Sequence, residues 1–295
     1  MLPEKLKTGD VIGIVSPSHV AQQDIYRRII ANIERKGFRV KTGKNLYKDT
    51  YGYLASEAER AEDFNGMVLD QTVKMVFFGG GYGALEILPY IDYGAILRNP
   101  KIFLSYSDGT SILNAIYAKT GLTTYYGQTP GEFEDLRQYD YEQFTSNLVR
   151  GDVREFVPNS DWHSLRDGVC EGTLVGGYSW NIALLLNNRH FEFDPHGKYI
   201  LFLEDYEKFS NVAVVSMLLS CIEQNPMIGR VSGLLFGHYS EALHPELMAR
   251  LGRFGEKHGV PVAYCDDFGH GKNHAILPIG SHAILDTHMK TLRFD

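Results

Sequence analysis

Apolar runs rich in β-branched residues alternate with amphipathic ones through the first half of the chain. "VIGIVSPS" (11–18) predicts a buried strand, and "AQQDIYRRIIANIERKG" (21–37) an amphipathic helix that stops at Gly37. "FRVKTGKNL" (38–46) predicts a second strand and "ASEAERAEDFNGMVLD" (55–70) a second helix. "KMVFFGGG" (74–81), "ALEILPYI" (84–91), "KIFLSYS" (101–107) and "SILNAIYAKTG" (111–121) continue as strand, short helix, strand and helix. Strands that are apolar throughout, separated by helices, predict a parallel sheet covered on both faces. Ligand and catalytic sites in such sheets lie at the carboxyl ends of strands. Three strand ends here carry turns suited to that: "SPSH" (16–19), "GGGYG" (79–83) and "SYSDG" (105–109).

The pattern changes between Gly131 and Gly168, where "GEFEDLRQYDYEQF" and "VREFVPNSDWHSLRDG" are polar, aromatic and weakly periodic. That texture suits a crossover holding one short helix. From Val169 onward the strands shorten: "GTLVGG", "KYILFLED", "VSGLLFGHY", "VPVAYC" and "HAILDTHMKTLRF", with one long helix, "NVAVVSMLLSCIEQN" (211–225), among them. The expected organisation is an α/β chain. A parallel-sheet domain spans 1–135, a linker 136–168, and a smaller β-rich α/β domain 169–295.

Composition narrows the function classes. The 295 residues are 44% hydrophobic and 22% charged, as in ordinary globular proteins, and the net charge of −7 argues against a nucleic-acid binder. The longest apolar run, "VAVVSMLLSCI", is about three helical turns and too short for a membrane span. "MLPEKLKTGD" carries no hydrophobic signal region, which favours a cytoplasmic location. Cys170, Cys221 and Cys265 stand far apart without C-x-x-C spacing, which suits reduced thiols.

Four stretches carry candidate chemistry. Ser107 sits where a strand meets a helix, in "S-x-S-x-G", close to the G-x-S-x-G elbow that exposes a nucleophile. The same position suits a plain helix cap. His270 lies between Gly269 and Gly271 in "DDFGHGKNHAILPIG", as a base on a tight loop or a solvated loop histidine. His270 and His274 are four apart, but the glycines oppose a helix and no H-E-x-x-H occurs, so a metal site is not expected. "KYILFLED" ends an apolar strand on Glu204 and Asp205, whose side chains leave on opposite faces, so one of them addresses a given site. "FFGGGYGA" nearly spells a dinucleotide fingerprint but lies on a third strand and lacks the acidic partner. Its bare N–H groups could instead face an oxyanion.

The order of these blocks resembles the LD-carboxypeptidase family of serine peptidases, which includes muramoyltetrapeptide carboxypeptidases and microcin C immunity peptidases. The similarity runs through "PEKLKTGDVIGIVSPS", "GGGYGALEILPYIDYGAI", "NPKIFLSYSDGTSILNAIYAKTGLTTYYG", "GTLVGG", "ILFLED" and "FGHG…ILPIG". The resemblance implies a Rossmann-like N-terminal domain and a triad of Ser107 as nucleophile, His270 as general base and Glu204 as its orienter. It implies backbone donors at Gly81 and Asp108 for the oxyanion, no cofactor, and a homodimer. Tyr82, Trp180 and His238 are candidates for substrate binding.

Three departures bear on what is cut. The family commonly has an arginine just before the glycine loop, where this chain has Phe78-Gly79. Its "GGN" turn is Gly176-Gly177-Tyr178 here, and its "YGP" is "YGQTP". Without the arginine, a bidentate partner for a substrate carboxylate is missing. The "AIYAKTGLTTYYG" block and the "DWHSL" segment also look more like the immunity branch, so the expected reaction is cleavage of an amide in a small peptide or an aminoacyl-nucleotide conjugate, as in the immunity peptidases. A murein tetrapeptide LD-carboxypeptidase releasing D-alanine is the alternative, and a catalytically inactive ligand-binding protein is the reading from another class.

Overall fold

A computed structural model describes residues 1–295. The chain separates into two compact units, Met1–Asp152 and Val153–Asp295. In the first, strands β1 (Val11–Val15), β2 (Arg39–Thr42), β3 (Val73–Phe78), β4 (Ile102–Ser105) and β5 (Thr124–Tyr126) form a parallel sheet in the order β5-β4-β3-β1-β2. Every residue of β1 and β4 is buried, as expected of strands covered on both faces, whereas β2 at the edge alternates between exposed and half-buried positions.

The helices of this unit are α1 (Gln23–Arg35), α2 (Glu57–Leu69), α3 (Ala84–Ile87), α4 (Tyr93–Arg98), α5 (Thr110–Thr120) and α6 (Gln138–Phe144). Helix α1 buries Tyr26, Ile29 and Ile33 along one face, each large apolar side chain contributing about 1.5–3 kcal/mol. Ser56 and Glu59 close a capping box at the start of α2, and Gly121 ends α5 in the left-handed conformation. Pro89 turns the end of "ALEILPYI" into a 3₁₀ turn. The sheet order has a direct consequence. β1, β3 and β4 are neighbours, so the "SPSH", "GGGYG" and "SYSDG" turns stand side by side along one carboxyl edge.

The second unit is a seven-stranded mixed sheet. Its strands are β6 (His163–Arg166), β7 (Val169–Tyr178), β8 (Tyr199–Glu204), β9 (Val231–Phe236), β10 (Val262–Tyr264), β12 (His282–Asp286) and β13 (Thr291–Phe294), in the order β13-β12-β7-β8-β9-β10-β6. The central β7-β8-β9-β10 run is parallel, and antiparallel strands flank it on both sides. A further short strand, β11, covers Leu277–Ile279. Helices α7 (Ser179–Leu185), α8 (Val212–Gln224) and α9 (Pro245–His258) complete the unit. The segment expected to be a crossover supplies α6 to the first unit and β6 to the second sheet. "HAILDTHMKTLRF" is a hairpin, turned at 287–290 with Lys290 at φ 58°, where the sequence suggested one strand. No helix is long and apolar enough to cross a membrane.

Candidate active site

In the first unit Ser107 follows β4 with φ 56°, a left-handed conformation that a serine adopts at a cost of about 1–3 kcal/mol. Its N–H donates to the Tyr126 hydroxyl at 3.3 Å. Two residues earlier, the Ser105 hydroxyl donates to the Phe78 carbonyl at 2.7 Å and ties β4 to β3. The Asp108 carboxylate accepts the Ala84 N–H at 2.8 Å, which fastens the turn to the far end of the glycine loop. That loop lies against the serine: a Cβ added to Gly80 would stand 2.8 Å from Ser107 Cβ and 3.2 Å from its Oγ. Gly81 has φ 142°, and any Cβ there would collide with the Ser18 carbonyl, so only glycine fits. Tyr82, next on the loop, is 90% exposed. Arg60 anchors the base of the loop, donating to the Pro17 and Gly83 carbonyls at 2.6 and 2.9 Å and pairing with Glu86.

In the second unit the candidate residues stand at the carboxyl ends of parallel strands. Glu204, the last residue of β8, is completely buried, and its Oε2 accepts from His270 Nδ1 at 2.8 Å. A buried carboxylate needs such a partner. With Nδ1–H donating to Glu204, the imidazole lone pair is on Nε2. Burial opposes the imidazolium, but the Glu204 charge and hydrogen bond, with Asp205 behind them, outweigh it, and the His270 pKa rises above its ordinary value. Three aromatic rings hold the imidazole: Tyr206 stacks on it at 5.9 Å, and Tyr178 and Phe209 meet it edge-on at 5.1 and 5.4 Å. Asp205, next to Glu204 in the chain, is also fully buried and close enough to Glu204 and His270 for its charge to act on both. It accepts the Tyr206 N–H at 2.8 Å, and burial, reinforced by the Glu204 charge, pushes its carboxyl up to about 7.

The loop carrying His270 is tied down on both sides. Asp267 accepts from the Asn159 N–H at 2.7 Å and Trp162 Nε1 at 2.8 Å. Asp266 accepts from His238 Nδ1 at 2.8 Å and the Tyr264 hydroxyl at 2.7 Å, which together outweigh burial and lower its pKa. His238 is therefore buried beneath the loop, with the Gly271 backbone on its ring face, and its Nε2 has no partner. Gly269, at φ 102°, lets the backbone pass directly over Glu204. Trp180 opens α7, 42% exposed. No group of three or more His, Cys, Asp or Glu side chains is arranged to hold a metal ion.

The structure thus brings Glu204 to His270 in one unit, and Ser107, Asp108 and the Gly80–Gly81 peptide together in the other. Sequence reasoning did not find the ring collar of Tyr178, Tyr206 and Phe209. The one signal for it was an aromatic residue immediately after Gly176-Gly177 and two more within five residues of Glu204.

Residues 12–127 match the family profile of the LD-carboxypeptidase N-terminal domain, and residues 171–285 that of the LD-carboxypeptidase C-terminal domain. A Bacillus subtilis (strain 168) protein named "Probable murein peptide carboxypeptidase" is 30% identical over 305 residues, 98% of this chain and 92% of that protein. The Escherichia coli "Microcin C7 self-immunity protein MccF" is 30% identical over 274 residues, 81% of this chain and 78% of that protein. A solved structure of microcin C7 self-immunity protein MccF in complex with aspartyl sulfamoyl adenosine has a TM-score of 0.86 and 26% identity, and covers 100% of this chain and 98% of that one. The chain belongs to the LD-carboxypeptidase family. It is accordingly a hydrolase of the serine carboxypeptidase class.

Proposed function

We propose that this chain hydrolyses an amide bond through an acyl-enzyme, with Ser107 as nucleophile, His270 as general base and Glu204 as the group that orients it. Ser107 Oγ attacks the substrate carbonyl as His270 Nε2 takes its proton. The Gly81 and Asp108 N–H groups hold the resulting oxyanion, where one lost donor typically costs about 3 kcal/mol. His270 then gives the proton to the leaving amine, the C–N bond breaks, and a water activated by the same imidazole releases the acyl group. The observation that carries this reading is the buried 2.8 Å bond from His270 Nδ1 to Glu204, which supplies a base of fixed tautomer.

The substrate class favoured is an aminoacyl-nucleotide conjugate. The exposed indole of Trp180 offers a stacking face for a base, and the MccF structure holds aspartyl sulfamoyl adenosine. Tyr82 is assigned to a substrate contact; His238, buried beneath the loop and bonded to Asp266, is assigned to holding that loop and not to substrate. The second reading, a murein tetrapeptide cut at an L–D bond with release of D-alanine, is favoured by the 30% identity to the Bacillus protein. The protein acts in the cytoplasm as a homodimer, which sedimentation would report as twice the 33.3 kDa chain.

The test offers the enzyme aspartyl sulfamoyl adenosine and, separately, a peptide ending in an L-diamino-acid–D-alanine bond, and reads the cleaved amide by mass. Faster cleavage of the nucleotide is expected, and preference for the peptide selects the second reading. Folded Ser107→Ala and His270→Ala proteins are expected to lose turnover of either. Turnover of neither compound by the wild type, together with no loss of ligand binding in Ser107→Ala, would make the chain a binding protein.

A further inference from the structure

We propose that His19 is a positioning residue for the oxyanion hole: its Nδ1–H holds the Gly80 carbonyl and thereby aims the Gly81 N–H. This rests on the reading of Gly81 as an oxyanion donor. The carbonyl oxygen of Gly80 lies 3.1 Å from His19 Nδ1, and because a carbonyl can only accept, Nδ1 carries the hydrogen. The Gly80–Gly81 peptide is planar and trans, so its C=O and N–H point in opposite directions, and fixing one fixes the other. The same peptide begins at the residue packed against Ser107.

A run of three glycines would otherwise leave this plane free to turn. The turn after β1 restrains it at two points. The Ser18 carbonyl accepts the Tyr82 N–H at 2.9 Å, beyond the peptide, and His19 holds the peptide itself. His19 is in turn held by its surroundings. Its Nε2 accepts from the Tyr26 hydroxyl at 2.8 Å, and the Ser16 hydroxyl donates to its carbonyl. The ring packs so closely on Gly79 that a Cβ there would collide with Cε1. Burial lowers the His19 pKa and raises that of Tyr26, so the imidazole stays neutral and the phenol keeps the proton it donates. The hydrogen bond to the carbonyl also polarises the peptide and strengthens its N–H as a donor. "SPSH", which supplies no reacting group, thus acquires a role in the reaction.

The experiment compares wild type with His19→Ala, His19→Asn, His19→Gln and Tyr26→Phe, using whichever of the two substrates above the wild type turns over. Asparagine can place an amide N–H near the Nδ1 position, whereas the longer glutamine places its own nearer Nε2. For folded proteins, His19→Ala is expected to lower kcat about 10- to 100-fold, with KM changed less than about threefold, since the donor acts on the oxyanion and not on bound substrate. His19→Asn should recover most of the loss, His19→Gln little of it, and Tyr26→Phe should fall between. The rate of Ser107 labelling by a fluorophosphonate should follow the same order. Wild-type kcat in His19→Ala, or a loss confined to KM, overturns the proposal. If His19→Ala does not fold, equal kcat in His19→Asn and His19→Gln overturns it. Ser107→Ala, run alongside, separates the two claims: full activity there removes the serine mechanism, whereas an inactive Ser107→Ala beside a fully active His19→Ala removes only the role of His19.

Discussion

At the residue scale the chemistry is set by where charge is buried. Glu204 is wholly excluded from water and bonded to His270, and the carboxylate makes the imidazole more basic. Because the folded pKa of His270 is raised, protonation stabilises the unit fully below about 6.5, the unfolded value, and that stabilisation is lost as pH climbs through the raised value. Catalysis needs the neutral base, so activity should rise over the same interval above 6.5. Glu204→Gln keeps the size of the side chain and removes its charge, leaving burial as the dominant influence on the imidazole. The acid limb of the kcat/KM profile should then move to lower pH, and the plateau should fall on the order of 10³- to 10⁴-fold. A pH–rate profile checks both, and an acid limb that stays in place would mean that Glu204 does not tune His270. Ser107, Glu204 and His270 stood out in the sequence because each lies in a short motif at a strand end or tight loop, but the residues alone left Glu204 and Asp205 open, and only the family resemblance chose between them. The partners of Asp266 and Asp267 were not, since Asn159, Trp162 and His238 reach that loop only through the fold.

At the scale of elements, strand ends and helix contacts hold these residues. Apolar strands and amphipathic helices were readable at β1, α1, β3, β8 and α8, whereas α9, fourteen residues with Leu247, Leu251 and Phe254 buried on one face, was passed over where the sequence suggested a single long helix. The other misses have physical causes. β5 has three residues and β6 is half-buried throughout, so neither shows a pattern that stands out. The β12–β13 turn has no glycine or proline, and Lys290 takes the left-handed position a glycine would have announced. Helix α9 is held to α8 by Arg250, whose guanidinium meets Glu223 at 3.1 Å and Ser216 Oγ at 2.9 Å, the side chains of Arg250 and Glu223 both being nearly buried. Burial alone would raise the Glu223 pKa, but Arg250, Lys257 and His258 together draw it down. Arg250→Ala would leave that carboxylate without its most buried partner. Thermal unfolding should show a loss of about 3 kcal/mol, as for other broken buried pairs. A loss under 1 kcal/mol would show that Lys257 and His258 suffice.

At the scale of the whole molecule, both units use one architectural rule. Each has a parallel run of strands whose carboxyl ends carry the candidate residues: Gly81 and Ser107 after β3 and β4, Glu204 at the end of β8 and His270 after β10. The alternation of strands and helices made the first unit readable from sequence. The second mixes parallel and antiparallel strands, and its order depends on pairings between β6 and β10 and between β7 and β12 that no local pattern encodes. Membership of the LD-carboxypeptidase family joins the two units in one enzyme class. If Ser107 is the nucleophile activated by His270, intact-protein mass after reaction with a fluorophosphonate should show one adduct, mapped to Ser107, absent from Ser107→Ala and strongly slowed in His270→Ala. An adduct on another residue, or equal labelling of Ser107→Ala, would contradict it.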